Sequence, residues 1–316
     1  MLRALGSLLF YGRFLRSFSA LGFQRRSSEW EEFEPDFSGQ RWVVTGATGG
    51  IGRAVALTAN RCGATVLALA RDAGKLEALR EDAEHPEAVT PIPVDLASVA
   101  DVRGLFGKTE IGDGTIDVLV NNVGVLLNDF STTDEGPETS FATNLLGPFV
   151  LTGQLHEKGL LNAEGIVINV SSGGMYGTPL KLEEMNCRDE EDYDGMAAYA
   201  MHKRAQVELT RYWNEQWQGA PVAHVMHPGW VDTEGVKTAL PGFRTALKGI
   251  LRNAEQGADT IFWLADQRPA PVEEGIWLDR ELQPEHEFSF TRKTSCDAKD
   301  LARFLREHAR AVIAGE

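Results

Sequence analysis

The stretch from Arg41 to Gly52, Arg-Trp-Val-Val-Thr-Gly-Ala-Thr-Gly-Gly-Ile-Gly, limits what this chain can fold into more than any other. A short β-branched run (Val43, Val44) ends in clustered glycines, and a helical pattern begins at Arg53. Strand, glycine turn and helix start in that order make a site for a dinucleotide pyrophosphate. Free N–H groups and the positive end of the helix dipole face the anion there. Gly46, Gly50 and Gly52 lack the Cβ atoms that would block a tight turn and close approach of phosphates. Thr48, Gly49 and Ile51 complete the candidate cofactor-binding turn. The spacing is G-x-x-x-G-x-G, which departs from the G-x-G-x-x-G of the best-known dinucleotide fingerprint.

The rest of the chain repeats the strand-then-helix rhythm. Apolar runs at Ala64 to Ala70, Val89 to Val94, Ile116 to Asn121, Gly165 to Val170, Pro221 to Met226 and Gly275 to Leu278 read as further strands. Helical patterns run from Arg53, from the end of the second strand to about Ala83, and over Ser98 to Phe106, Glu138 to Leu155, Ala197 to Trp217 and Ala254 to Ala265. Continuous apolar strands alternating with helices predict an α/β fold. They form one doubly wound parallel sheet of about seven strands, with helices on both faces and right-handed crossovers. Ligands of such sheets sit at the carboxyl ends of the strands. The expected organisation is an N-terminal extension over 1–38, the sheet domain over 39–280 and a tail over 281–316 that ends in an amphipathic helix, Ala298 to Val312. Two segments break the rhythm: an acidic insertion over 173–196 and a Pro241-Gly242-containing stretch over 233–251, which suits a lid over the cleft.

A formal net charge of -15 argues against general nucleic-acid binding, which needs lysines and arginines to neutralise phosphates. The three cysteines (Cys62, Cys187, Cys296) are far apart and form no CxxC pair. They predict a reduced, cytoplasmic chain without structural metal. Residues 1–26 hold five arginines and no acid, and Leu8, Tyr11, Phe14, Leu15 and Phe18 share one face if that stretch is helical. Two uses of that face are open: peripheral membrane contact, or packing on the chain's own domain or a second subunit, the latter preferred. Its longest charge-free run is too short to span a bilayer.

Tyr199-Ala200-Met201-His202-Lys203 places a phenol and an ammonium one helical turn apart on one face. A free tyrosine, pKa about 10, is a poor base near neutrality; a neighbouring cation favours the phenolate. Ser171-Ser172 ends the fifth strand, where a hydroxyl can hold a carbonyl oxygen or simply cap a turn. Asn144 stands inside a helical pattern that asparagine supports poorly. Asn122-Val123-Gly124 follows the fourth strand, Asp95-Leu96 the third, and Pro228-Gly229-Trp230-Val231-Asp232-Thr233 the sixth.

Together these residues resemble the short-chain dehydrogenases/reductases over roughly Gly39 to Asp279. The motifs appear in that family's order: Thr-Gly-x-x-x-Gly-Ile-Gly at 45–52, Asp95-Leu96, Asn-Asn-Val-Gly at 121–124, Asn144, Ser172, Tyr-x-x-x-Lys at 199–203 and Pro-Gly-x-Val-x-Thr at 228–233. Asn-Asn-Val-Gly at 121–124 and Pro-Gly-x-Val-x-Thr at 228–233 favour the classical branch of that family over the extended, epimerase-like one. Further strings, Ser-Ser-Gly-Gly-Met at 171–175 and Met-His-Pro-Gly-Trp at 226–230 among them, resemble one subgroup whose members also carry an N-terminal extension. The resemblance implies a Rossmann-like domain that moves hydride between a nicotinamide and a carbonyl or alcohol substrate. In it Tyr199 would be the general acid or base, and Lys203 would lower its pKa and bind the nicotinamide ribose. Ser172 would hold the carbonyl, and Asn144 would order a water linking Lys203 to solvent. The interval from Ser172 to Tyr199 is about twice the family's usual one, so Ser171 stays a second candidate. Family members are commonly dimers or tetramers, so a homo-oligomer is a candidate state.

Charge at the end of the second strand argues cofactor choice. An acid there selects NAD(H); a cation favours the 2′-phosphate of NADP(H). Neutral Ala70 followed by Arg71 predicts NADP(H) over NAD(H). Trp230, Phe243 and Met175 offer an apolar substrate pocket or ordinary packing. The alternative to an enzyme is an NADP(H)-binding sensor or scaffold, for which the Tyr–Lys pairing would have no use.

Overall fold

The computed structural model describes residues 12–107, 111–112, 114–294 and 296–315. The predicted strands form as β1 (Arg41–Thr45), β2 (Thr65–Ala70), β3 (Val89–Pro93), β4 (Ile116–Asn121), β5 (Leu161–Val170), β6 (Val222–Met226) and β7 (Ile276–Leu278), and an eighth, β8 (Glu281–Gln283), joins them. They make one sheet in the order β3-β2-β1-β4-β5-β6-β7-β8. The β7–β8 pair is antiparallel and the other pairs are parallel. The sequence reading missed β8 because its turn, Asp279-Arg280, lacks the Asn-Gly or Asp-Gly signature of two-residue hairpins. Both turn residues nonetheless take positive φ, 51° and 63°.

Side chains alternate across each strand, so the sheet feeds two cores. Val43, Leu67, Leu69, Leu119 and Val167 face α4 (Val99–Gly104), α5 (Gly147–Glu157), α6 (Gly195–Trp217) and α10 (Ala298–Ala314). Val44, Val66, Ala68, Val118, Val120, Ile166 and Ile168 face α2 (Gly50–Arg61), α3 (Ala73–Glu81) and α9 (Ala254–Gln267). The tail is therefore no appendage: Leu301 and Leu305 of α10 are fully buried in the first core.

A third, smaller core explains the N-terminal arm. Residues 12–18 are helical and are followed by α1 (Ala20–Ser27). Phe14 and Phe18 are buried with Met175, Tyr176, Val207, Val225, Ile276 and Leu278. The arm thus packs on its own domain, at the carboxyl end of β6 and β7. Leu15 remains exposed, and Leu8 and Tyr11 lie outside the described residues. No helix among the described residues is long and apolar enough to cross a membrane.

The acidic insertion winds through short 3-10 turns at Gly173–Gly177, Leu182–Glu184 and Glu190–Asp192 before α6 begins at Gly195. The 233–251 segment folds as α7 (Glu234–Ala239) and α8 (Pro241–Leu247). Asp232 fixes α8 by a two-point ion pair to Arg244, at 2.6 and 3.0 Å.

Candidate active site

The carboxyl ends of β1, β2, β4 and β5 open on a common cleft. At β1 the chain turns through Gly46 (φ 65°) into α2, whose N-cap, Gly49, has no side chain to satisfy the first-turn amides. Those amides are left for an anion. A Cβ on Gly52 would stand 2.3 Å from the Gly46 carbonyl and 2.5 Å from Asn122 Nδ2, so only glycine lets the helix start this close to the turn. Thr45 ties β1 to the β4 loop: its hydroxyl accepts from the amides of Asn122 and Val123 at 2.9 and 3.0 Å. Thr233 reaches over from the β6 loop, its methyl group 3.1 Å from where a Gly50 Cβ would be.

Beside the turn lies a pocket of about 210 Å³ whose lining includes Thr48, Ala70, Arg71, Lys75, Asp95 and Leu96. The Asp72 carboxylate also borders it but is engaged as the N-cap of α3, accepting from the Lys75 amide at 3.0 Å. Two cations, Arg71 and Lys75, are left at this end. Only the first is evident from the sequence, because Lys75 stands four residues further on, inside α3.

At the other end of the cleft, α6 presents a polar stripe at helical spacing: Tyr199, Lys203, Gln206 and Thr210. The Tyr199 phenol lies beside the Ser172 hydroxyl, which also accepts from the Gly174 amide at 3.2 Å. Ser171 is committed elsewhere, donating to the Lys203 carbonyl at 2.7 Å. Lys203 Nζ is buried, donates to the Val170 carbonyl at 2.8 Å and Gln206 Oε1 at 3.3 Å, and lies 5.6 Å from the Tyr199 ring centre. Burial holds its pKa down to about 7. Burial also pushes the Tyr199 phenol above its usual value, and the Ser172 hydroxyl opposes this only in part. Desolvation is thus the largest influence on both groups in the protein alone.

Asn144 is fully buried, in a π-helical stretch, Ala142–Leu146. Such bulges are frequent at functional sites. Its amide clamps Val125 at two points, accepting from the N–H at 2.7 Å and donating to the carbonyl at 2.8 Å. Its own carbonyl accepts from Gln206 Nε2 at 3.1 Å. Gln206 therefore joins Lys203 to the Asn144 backbone. It was missed in the sequence, although its place three residues after Lys203 was a usable signal.

A family model described as short chain dehydrogenase matches residues 40–182. A Bos taurus protein named dehydrogenase/reductase SDR family member 12 is 32% identical, the match covering 96% of this chain and 98% of that protein. The chain belongs to the short-chain dehydrogenase/reductase family. Human retinol dehydrogenase 13 is 32% identical over 73% of this chain and 69% of its own length. Among solved structures, an uncharacterised protein from Mycobacterium paratuberculosis superposes with a TM-score of 0.64 at 25% identity, covering 89% of this chain and 95% of that one.

Family membership makes the protein an NAD(P)-dependent oxidoreductase acting on CH–OH or C=O groups. The cleft fits such a dinucleotide on its own terms: an uncapped helix start, a turn that tolerates no Cβ at Gly52, and a cationic pocket beside it. Of the remaining predicted cofactor contacts, Gly124 lies against Lys203, Nζ being 3.1 Å from its would-be Cβ. Pro228, Gly229 and Val231 line up after β6, where Val231 packs against Gly257 of α9. Met175 does not line the cleft but is fully buried with the arm, whereas Trp230 meets Phe243 edge-on at 5.4 Å.

Proposed function

We propose that the protein interconverts a carbonyl and an alcohol on an apolar substrate, with NADP(H) as cofactor and Tyr199 as the general acid in reduction. The observation that carries this reading is the Tyr199 phenol set beside the Ser172 hydroxyl, one turn from a buried lysine. A bound nicotinamide would supply or accept the hydride. The chain's own residues do the rest. Desolvation keeps Tyr199 protonated, so in the reductive direction it holds its proton ready for the carbonyl oxygen. Ser172, already within reach of that phenol, holds the same oxygen in place. Lys203, poised near neutrality, is a cation that an anionic dinucleotide favours, and Gln206 and Asn144 hold its surroundings rigid. In the oxidative direction, positive charge brought by the oxidised cofactor is what draws the phenol pKa down.

Arg71 and Lys75 beside neutral Ala70 support NADP(H) over NAD(H), since a 2′-phosphate needs cations where an NAD enzyme keeps a carboxylate. The edge-on pair Trp230–Phe243 supports an apolar substrate, as does retinol in the name of one relative. The test is turnover of NADPH with a panel of apolar ketones and aldehydes. Tyr199→Phe should lower kcat by ~10²-fold or more, the usual share of general acid catalysis, while NADPH affinity stays within twofold. Turnover indifferent to Tyr199→Phe would overturn the assignment. Arg71→Ala should raise KM for NADPH at least tenfold while leaving that for NADH nearly unchanged; equal changes would remove the cofactor preference.

A further inference from the structure

The arm does more than cover a core. The Phe18 carbonyl accepts from the Trp230 amide at 2.8 Å and from Arg252 Nε at 2.9 Å, and the Ala20 amide donates to the Ile250 carbonyl at 2.8 Å. Residues 18–20 thus sit between the loop after β6 and the exit of the lid. A buried ionic knot locks them there. Arg252 donates to the Ser17 carbonyl at 3.0 Å and pairs with Asp279, and Arg26 of the arm donates to the same carboxylate at 2.8 Å. The Phe18 ring stacks on Phe14 at 4.3 Å and meets His227 edge-on at 4.5 Å. It also lies against Gly173, the residue after Ser172, where a Cβ would stand 2.6 Å from it. On its far side it meets Trp230 at 5.8 Å, and Trp230 in turn meets Phe243 of the lid helix α8.

One ring therefore touches the backbone that carries Ser172, the loop that starts at Pro228 and the aromatic contact to the lid. We propose that Phe18 is a positioning residue of the active site: it fixes the Ser172 turn from behind and, through Trp230 against Phe243, holds α8 over the substrate end of the cleft. Packed groups of this kind transmit a displacement because close-packed interiors leave no slack. The kinetic consequence rests on the carbonyl–alcohol reading; the structural one does not.

The experiment uses the full chain with Phe18→Leu, which removes the ring but keeps apolar bulk, and Phe243→Ala, which cuts the same link at the half-buried lid end and leaves the arm's core intact. Limited trypsin digestion, read by mass spectrometry at Arg244 and Lys248, reports how firmly the lid is held. Both variants should be cut there at least fivefold faster than the parent, and the double variant no faster than either single one. Substrate KM should rise at least fivefold in Phe18→Leu, with NADPH affinity within twofold, because Arg71 and Lys75 lie at the other end of the cleft. Lid cleavage unchanged in Phe18→Leu, even with a lowered Tm, would overturn the inference and leave the arm a stabilising cover. Should Phe18→Leu not fold, Phe243→Ala decides: faster cleavage with raised substrate KM supports the link, and parental values for both overturn it. Faster lid cleavage in a protein that turns over no carbonyl would sink the proposed reaction and leave the positioning role standing.

Discussion

Lys203→Met gives a test that needs neither substrate nor cofactor. The Lys203 ammonium is buried, its hydrogen bonds run to neutral oxygens of Val170 and Gln206, and its pKa falls from 10.5 to about 7. Between those two values the unfolded chain binds a proton that the folded chain has released, so stability rises with pH across the window. The cost of the buried cation is complete below pH 7 and vanishes above the unfolded value. Worked from the two pKa values, it is roughly 4 kcal/mol at pH 7.5 and roughly 1.4 kcal/mol at pH 9.5. Relative to Lys203→Met, the parent protein should therefore gain about 2.5 kcal/mol of stability over that range. His202 and His227, whose pKa values burial also lowers, release their protons before the window opens and drop out of the slope. The cysteine and tyrosine groups that titrate higher are common to both chains and cancel. The assay is urea unfolding of both proteins without cofactor at pH 7.5, 8.5 and 9.5. Parallel stability curves would show that Lys203 keeps an ordinary pKa, and the account of how the cleft tunes its cation would fall.

Two further perturbations probe other joints of the fold. Gly52→Ala puts a methyl group 2.3 Å from the Gly46 carbonyl, so the turn must open; NADPH affinity measured by fluorescence titration should fall more than tenfold, and an unchanged affinity would separate the turn from dinucleotide binding. Asp279→Asn keeps the shape and the left-handed tolerance of the hairpin turn but leaves Arg252 and Arg26 without their shared carboxylate. Removing one partner of a buried ion pair typically costs ~3–5 kcal/mol; chemical denaturation showing a loss under about 1 kcal/mol would mean that the knot is not held by charge.

Much of the candidate site is legible in the sequence, because its chemistry follows local rules. A β-branched run, glycines and a helical pattern specify strand, turn and anion-binding helix start within a dozen residues, and β1, Gly46 and α2 form accordingly. Tyr199 and Lys203 share a face because a helix repeats every 3.6 residues, and the same period would have found Gln206. The strand pattern specified the parallel pairing and pointed to the carboxyl ends as the place of the candidate cleft. Where the reading stopped, the deciding contacts were distant in the chain. Ser171 and Ser172 are adjacent and chemically alike, and only the packing of α6 turns one hydroxyl to the Lys203 carbonyl and the other to Tyr199. The β7–β8 turn uses Asp279 and Arg280 at positive φ, held by Arg252 on one side and Asp259 on the other, so side-chain pairing replaces turn propensity. The arm's role was invisible in its amphipathic face, which says that something apolar is covered but not what. Phe18 and Arg252 meet across 234 positions of sequence, and nothing in either residue's neighbourhood specifies that meeting. Periodicity is a property of short segments and is written into the chain; the choice of partner is made by the free energy of the assembled core, which exists only after the segments pack.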